Sequence, residues 1–206
     1  MSLFFIADII GIIAFAISGF LAGVRNRLDL LGLIIVASLT ALGGGIIRDM
    51  MLSRTPFAFS EYYPALTVMF SITLALIFKL YHRKEIERKW LFIISDTVGL
   101  VAFSITGALL GIEAGFNFFG VIIVSFLTAI GGGVTRDVLI NKVPSILTND
   151  FYGTIALIVA LLLIGLETFK WMNDLTITIV ALFAVTLRLV AYRRSWHLPR
   201  IDKPDQ

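Results

Sequence analysis

Long apolar stretches alternate with short polar segments along almost the whole chain. Seven of these stretches have about the 20 residues that an α-helix needs to cross the hydrocarbon core of a membrane. The pattern therefore predicts an all-α membrane protein with seven transmembrane helices. The expected spans are Leu3–Val24, Leu30–Leu52, Tyr62–Leu80, Trp90–Ile112, Phe116–Ile140, Asp150–Leu166 and Leu175–Tyr192.

The composition agrees with this interpretation. Hydrophobic residues make up 58% of the 206 residues and charged residues only 15%, which is unusual for a soluble domain. The first apolar stretch has no basic segment before it and no small-residue cleavage site after it, so we expect a retained helix. The absence of cysteine excludes disulfides and thiolate metal sites.

The basic residues predict the orientation of the chain. Three arginines at or inside spans, Arg48, Arg136 and Arg188, are left out of the count for either side. If seven helices alternate in direction, the side of the N-terminus then holds only Arg54 and Lys170. Because basic loops stay in the cytoplasm, we expect a plasma (inner) membrane protein with its N-terminus outside and its C-terminus inside. The opposite side collects twelve: Arg25, Arg27, Lys79, Arg83, Lys84, Arg88, Lys89, Lys142, Arg193, Arg194, Arg200 and Lys203.

Two basic segments, residues 81–89 and the tail 193–206, could in principle attract nucleic acid. Both lie beside the ends of predicted spans, where basic residues serve as topology signals and contact anionic lipids. We therefore expect membrane lipids as partners and no nucleic acid.

The chain contains an internal duplication. Shifting it by 88 residues aligns Asp8–Asp49 with Asp96–Asp137 without a gap, and 20 of the 42 positions are identical. Each copy holds three predicted helices, an odd number, so the second copy should enter the membrane from the opposite side. The sequence thus predicts two inverted three-helix repeats, 3–80 and 90–168, joined by the basic loop 81–89 and followed by a seventh helix at 175–192.

A glycine triplet followed by Arg-Asp occurs in both copies, in the second and the fifth predicted helices. Glycines inside a helix cost roughly 1 kcal/mol each and let the backbone bend or unwind, so we expect a helix break at each triplet, next to a polar pathway. The alternative is close helix packing, for which small residues in membranes are commonly used. The triplets are Gly43, Gly44 and Gly45, and Gly131, Gly132 and Gly133.

Polar side chains accompany the triplets. Helical spacing places Thr40, Gly44 and Arg48 on one face, and Thr128, Gly132 and Arg136 on the equivalent face. An arginine inside a span should meet a partner or water. Similar depth predicts two charged clusters at opposite mouths, which could act in selectivity or gating, or be structural ion pairs or side chains that reach the headgroups. The clusters are Asp8, Arg48 and Asp49, and Asp96, Arg136 and Asp137.

Hydroxyl side chains offer a further lining for such a path. Ser18 and Thr106 are candidates, together with Ser38, Ser125 and Thr135, although hydroxyls in membrane helices more often bond to their own backbone. Both histidines, His82 and His197, fall in basic loops. Because the predicted spans contain no Ser-His pair and no His/Cys cluster, we expect neither enzyme activity nor a cofactor or metal site.

Two GGGxxRD segments in inverted three-helix repeats, followed by a seventh helix, resemble the prokaryotic branch of the TRIC (trimeric intracellular cation) channels. The resemblance covers residues 3–192. It implies a homotrimer with one pore in each protomer, kinked at the two triplets, with monovalent cations, potassium or sodium, as the permeant ions. Here Arg48-Asp49 replaces the lysine-bearing pattern of animal members, and the tail is short, so the resemblance does not carry over their regulation.

The same motifs fit bacterial sequences that carry the label of glycine transporters. A secondary transporter of a small zwitterion such as glycine is therefore the alternative, with the substrate carboxylate at a half-helix N-terminus. A third alternative is a structural membrane module in which the glycines only serve packing.

Overall fold

The computed structural model describes residues 3–148 and 151–196, and all regular structure in these ranges is helical. The long helices are α1 (Leu3–Arg25), α2 (Leu30–Met51), α4 (Tyr63–Ile77), α5 (Glu85–Glu113), α6 (Phe118–Leu139), α8 (Tyr152–Thr168) and α9 (Asp174–Arg193). Two one-turn helices, α3 (Phe57–Ser60) and α7 (Ser145–Thr148), precede α4 and α8, and a short 3₁₀ helix covers Leu80–His82.

Five of these helices, α1, α2, α5, α6 and α9, are long and apolar enough to cross a membrane. Helices α4 and α8 are apolar but shorter, with 15 and 17 residues. Position 150, where the sixth predicted span begins, lies outside the described residues, as do 197–206 of the predicted tail. The chain is therefore an all-helical, multi-pass membrane protein.

Two predicted boundaries are wrong. The third span was expected to continue to Leu80, but α4 ends at Ile77. The fourth was expected to begin at Trp90, but α5 begins at Glu85, so the second half of the basic loop 81–89 is the first turn of a helix. Glu85 and Glu87 lie in this first turn, where carboxylates favour a helix N-terminus, and the hydropathy of the segment did not contain that signal.

Equivalent N-cap side chains stand at the start of the two helices that carry the triplets. The side chain of Asp29 accepts a hydrogen bond from the Gly32 amide at the start of α2, at 2.7 Å. Asn117, the residue 88 positions later, accepts one from the Gly120 amide at the start of α6, at 2.9 Å. These caps satisfy amides that would otherwise lack a partner and start both helices at equivalent positions.

The centre of the protomer consists of two antiparallel helix pairs with reciprocal contacts. In the α1/α5 pair, a Cβ atom at Gly11 would lie 3.0 Å from the Phe103 ring, and Gly99 faces the Phe15 ring in the same manner. The two rings meet with their centroids 5.4 Å apart. Since Gly11 is the repeat equivalent of Gly99, and Phe15 of Phe103, each half supplies both the hole and the ring.

The α2/α6 pair is closer still. A Cβ atom at Gly44 would collide with the Thr128 carbonyl oxygen, and one at Gly132 would collide with the Thr40 carbonyl oxygen. Only glycine lets two helix backbones approach so closely. Both helices continue as α-helix through their triplets, so the predicted unwinding is wrong, whereas a kink at the triplets stays a prediction. The packing alternative accounts for the contacts of Gly44 and Gly132.

Candidate functional site

A first charged cluster lies where the end of α2 meets the start of α1. The Arg48 guanidinium donates from Nη1 to Asp8 Oδ1 at 2.8 Å and from Nε to Asp49 Oδ1 at 3.0 Å. The Tyr63 hydroxyl donates to the other Asp8 oxygen, also at 2.8 Å. Arg48 is only 1% exposed and both carboxylates are fully buried, so the ion pairs lie away from headgroups and water.

A second charged cluster repeats this arrangement where the end of α6 meets α5. Arg136 Nη1 donates to Asp96 Oδ1 at 2.5 Å, and Nε donates to Asp137 Oδ1 at 2.8 Å. Nη1 also donates to the Ser18 hydroxyl at 2.7 Å, and this hydroxyl donates to Asp96 at 3.2 Å. Arg136 is fully buried. Below, these groups are called the Arg48 cluster and the Arg136 cluster.

Each half of the chain supplies one hydroxyl to the cluster of the other half. Ser18 of α1 contacts the Arg136 cluster, while Thr106 of α5, its equivalent 88 residues later, accepts from Arg48 Nη1 at 3.3 Å. Two of the hydroxyls that the sequence offered as path-lining residues, Ser18 and Thr106, therefore contact the ion-pair clusters. Hydrogen bonds between the halves thus connect the α1/α5 pair to both clusters.

The aspartates of the two Arg-Asp motifs have a second contact. The Oδ2 atom of Asp49 accepts from the amide of Phe57 at 2.8 Å, and Oδ2 of Asp137 accepts from the amide of Ser145 at 2.7 Å. These amides begin the one-turn helices α3 and α7. Each aspartate thus holds an arginine with one oxygen and the following turn with the other, which explains why Arg and Asp are adjacent.

Aromatic rings cover the guanidinium groups. The Arg48 Cζ atom lies 5.6 Å from the centre of the Phe4 ring and 5.2 Å from that of Phe57. The Arg136 Cζ atom lies 4.7 Å from the centre of the Phe92 ring. A buried guanidinium gains from an aromatic face. Phe4 and Phe92 are 88 residues apart, so extending the repeat to the N-terminus would have found this pair.

Sequence reasoning also missed three residues of α4, α8 and α9. Tyr63 binds Asp8, and Tyr152 and Arg188 lie beside the Arg136 cluster, with Arg188 Cζ 5.0 Å from the centre of the Tyr152 ring. Arg188 is 6% exposed, although the sequence placed it only at or within a span. These residues lie outside the aligned 42 positions, and no motif marks them.

The structure confirms that the predicted residues of each cluster lie together, and their part in permeation stays a prediction. The idea that Arg48 and Arg136 reach the headgroups is wrong, because both are buried inside the protomer. The Thr40 and Thr128 hydroxyls donate to carbonyls of their own helices, Val36 and Val124, both at 2.6 Å. Among the described residues, no group of three or more His, Cys, Asp or Glu side chains is placed to hold a metal ion.

A cavity of about 590 Å³ leads to the Arg136 cluster. Asp137 and Phe92 form its inner wall, and five basic residues and Glu85 surround its opening. Partial desolvation and the positive charge of Arg25 lower the pKa of the Lys142 ammonium, as expected where cations crowd together. We call this cavity the vestibule; its basic residues are Arg25, Arg27, Arg88, Lys89 and Lys142.

Comparison with known proteins identifies the family of the chain. The family model described as "Glycine transporter" matches residues 5–80 and again 93–168, two segments that are 88 residues apart at both ends. The UPF0126 membrane protein YvgT of Bacillus subtilis is 34% identical over 194 residues, which cover 93% of each chain.

Solved structures with the same fold are cation channels. One, from work on conductance through TRIC cation channels, is 35% identical, covers all of both chains and has a TM-score of 0.85. The TRIC trimeric intracellular cation channel orthologue from Rhodobacter sphaeroides is 28% identical, has a TM-score of 0.87, and the match covers 95% of this chain and 100% of that one. The chain therefore belongs to the membrane protein family that the glycine transporter model describes, with the UPF0126 proteins as its relatives and the fold of the TRIC channels.

Proposed function

We propose that this protein is a channel for monovalent cations, permeable to potassium, with one path in each protomer of a homotrimer. The observation that carries the proposal is the likeness over the whole chain to a TRIC cation channel, at 35% identity and a TM-score of 0.85. The trimer is proposed because the Rhodobacter sphaeroides orthologue is a trimeric channel of the same fold.

The proposed membrane arrangement has seven spans, with α4 and α8 as the two short ones, and two inverted halves. The antiparallel pairs α1/α5 and α2/α6, with their reciprocal glycine contacts, support the inversion. The vestibule gathers Arg25, Arg88 and Lys142 from three separate segments, which supports one basic side. By the positive-inside rule this side faces the cytoplasm of an inner membrane protein, with the N-terminus outside.

The proposed path connects the two charged clusters along α2 and α6. Each cluster places carboxylates near one end of the path, where they would attract cations, and an arginine that holds them. Both guanidinium groups are at most 1% exposed, so this conformation is closed at the clusters. Conduction then requires that the ion pairs Arg48–Asp8 and Arg136–Asp96 separate.

Recording from purified trimers in planar bilayers tests this function. A channel gives unitary current steps whose reversal potential follows the potassium gradient. Empty bilayers, and bilayers with protein denatured before reconstitution, are the controls. Because the family model carries the description glycine transporter, uptake of labelled glycine into proteoliposomes should be measured on the same preparation. Saturable glycine uptake without current steps would refute the channel.

A charge exchange tests whether the buried pair acts in the path. Asp8→Arg alone leaves two guanidiniums facing each other and should abolish both current and a stable trimer, since an uncompensated buried charge costs about 3–5 kcal/mol. Combining it with Arg48→Asp restores one charge of each sign. Recovery of the trimer without recovery of current would make the pair structural only.

A further inference from the structure

The residue that follows the Arg-Asp motif and contacts its aspartate differs between the two repeats. Phe57 and Ser145 are 88 residues apart, and their amides donate to the equivalent aspartates, Asp49 and Asp137, at 2.8 and 2.7 Å. The backbone therefore reaches the same place in both halves. Only the side chain changes, from an aromatic ring in α3 to a hydroxymethyl group in α7.

The ring of Phe57 covers the Arg48 cluster. It is 4% exposed and lies 5.2 Å from Arg48 Cζ, measured to its centre. A Cβ atom at Gly45 would lie 2.8 Å from its Cζ atom, so the ring packs directly on the end of α2. Its other neighbour is Tyr63, with ring centroids 6.2 Å apart. The ring thus fills the space between α2 and α4, over the ion pair.

Among the described residues, α7 contributes no ring to the Arg136 cluster. The sequence of α7, Ser-Ile-Leu-Thr, has no aromatic residue, and Ser145 lines the vestibule together with Asp137. Phe92 still covers Arg136 from α5, as Phe4 covers Arg48 from α1. At Gly133, the equivalent of Gly45, the neighbour is the Tyr152 hydroxyl of α8, 2.6 Å from the position of a Cβ atom. In the half that has serine, the vestibule therefore reaches Asp137, which is 5% exposed, whereas Asp49 is fully buried.

We propose that Phe57 is the plug of the Arg48 mouth, and that serine at the equivalent position 145 is what leaves the Arg136 mouth open as the vestibule. The inference rests on the proposed function only in that it treats the two clusters as mouths of one path. Access is then asymmetric: solvent reaches Asp137 in the resting protein, and reaches Asp49 only when the Phe57 ring moves.

Thiol labelling tests the plug, because the natural chain has no cysteine. The probe is Thr106→Cys, since the buried Thr106 hydroxyl lies 3.3 Å from Nη1 of Arg48, the guanidinium that the Phe57 ring covers. With a small charged methanethiosulfonate reagent and detergent-solubilised trimer, both mouths are accessible together. We expect slow labelling with Phe57 present and a rise of about tenfold or more with Phe57→Ser, because labelling no longer waits for a local opening.

The repeat provides a matched control probe. Ser18→Cys is the equivalent position at the other cluster, and its labelling rate should not change with Phe57→Ser. Equal labelling of Thr106→Cys with and without the Phe57 ring would overturn the proposal. A parallel rise at Ser18→Cys would also overturn it, because it would show general loosening of the helices in place of removal of a plug.

The reciprocal exchange keeps the test decisive where Phe57→Ser does not give a folded trimer. Ser145 is partly exposed in the vestibule, so Ser145→Phe has room for the new ring. A cysteine at Ile140, which lines the same cavity, should label quickly in the natural background and about tenfold more slowly with Ser145→Phe. Unchanged labelling in this arm would refute the idea that position 145 sets the opening.

The labelling readout does not depend on ion flux. If bilayers show no cation current while the labelling rates follow the expected pattern, the channel function fails and the plug stands. If current is present while the rates ignore both exchanges, the plug fails and the channel stands.

Discussion

The contact between the two glycine triplets can be tested with single methyl groups. A Cβ atom at Gly44 would overlap the Thr128 carbonyl oxygen, well inside the 3.0 Å that real Cβ contacts respect. At the neighbouring Gly43 the nearest atom is the Thr135 hydroxyl oxygen at 3.3 Å, the end of a side chain that can move slightly. At Gly165 of α8, no described residue outside the neighbouring backbone of the same helix has an atom within 4 Å of the Cβ position.

These distances predict different changes in the free energy of unfolding when each glycine is replaced by alanine. Gly44→Ala must push α2 and α6 apart by roughly 1 Å to restore van der Waals contact, and overpacking of this kind costs about 1–3 kcal/mol. Replacing glycine by alanine inside a helix stabilises the helix by about 1 kcal/mol. We expect the free energy of unfolding to fall by up to about 2 kcal/mol for Gly44→Ala, to change little for Gly43→Ala, and to rise by up to about 1 kcal/mol for Gly165→Ala.

The assay is thermal unfolding of the purified protein in detergent, monitored by loss of the peak of the folded protein in size-exclusion chromatography. Cation flux from proteoliposomes is measured in parallel. If the triplet acts through flexibility alone, alanine at Gly43, Gly44 and Gly45 should reduce flux about equally and raise stability. Equal stability of Gly44→Ala and Gly43→Ala would refute the packing argument.

Two further predictions follow from the clusters and the vestibule. Tyr63→Phe removes the hydrogen bond to Asp8 and should lower stability by about 1–3 kcal/mol in the same unfolding assay. Tyr152→Phe should change stability little, because the Tyr152 hydroxyl has no hydrogen-bond partner among the described residues. A larger loss of stability for Tyr152→Phe than for Tyr63→Phe would contradict this reasoning. Partial desolvation lowers the pKa of Lys142 below its ordinary value of 10.5, so its positive charge is present below that lowered pKa and is lost as pH rises through it. If cations enter through the vestibule, loss of this positive charge should increase the current over that alkaline range. Lys142→Gln should abolish the increase, whereas the control Lys84→Gln, outside the vestibule lining, should not. A pH profile that Lys142→Gln leaves unchanged would exclude this entry route.

Periodicity and the repeat were sufficient to predict the long helices and the grouping of the charges. Asp8 and Arg48 could be paired because each lies at a definable depth in an apolar span, and the offset of 88 extended the pairing to Asp96 and Arg136. The start of α5 was missed because hydropathy marks where lipid contact begins, and a helix can begin earlier in polar residues such as Glu85.

The role of the triplets illustrates a limit of sequence reasoning. Three consecutive glycines are equally compatible with a broken helix and with a close helix contact, because both need the absence of a Cβ atom. The contact of Gly44 with the Thr128 carbonyl, and of Gly132 with that of Thr40, is a property of the α2/α6 pair. Neither helix contains that information by itself.

The sequence by itself determined that the chain is helical, lies in a membrane, is duplicated, and carries an Arg-Asp pair near the end of α2 and of α6. These properties depend on hydrophobicity and spacing along a single helix. Only the tertiary structure decided that Ser18 and Thr106 each contact the arginine of the other half, and that aromatic rings cover the guanidinium groups. It also decided that Phe57 covers one cluster while Ser145 lines the vestibule at the other. These properties depend on which faces of separate helices meet, and the packing of side chains from distant parts of the chain determines that.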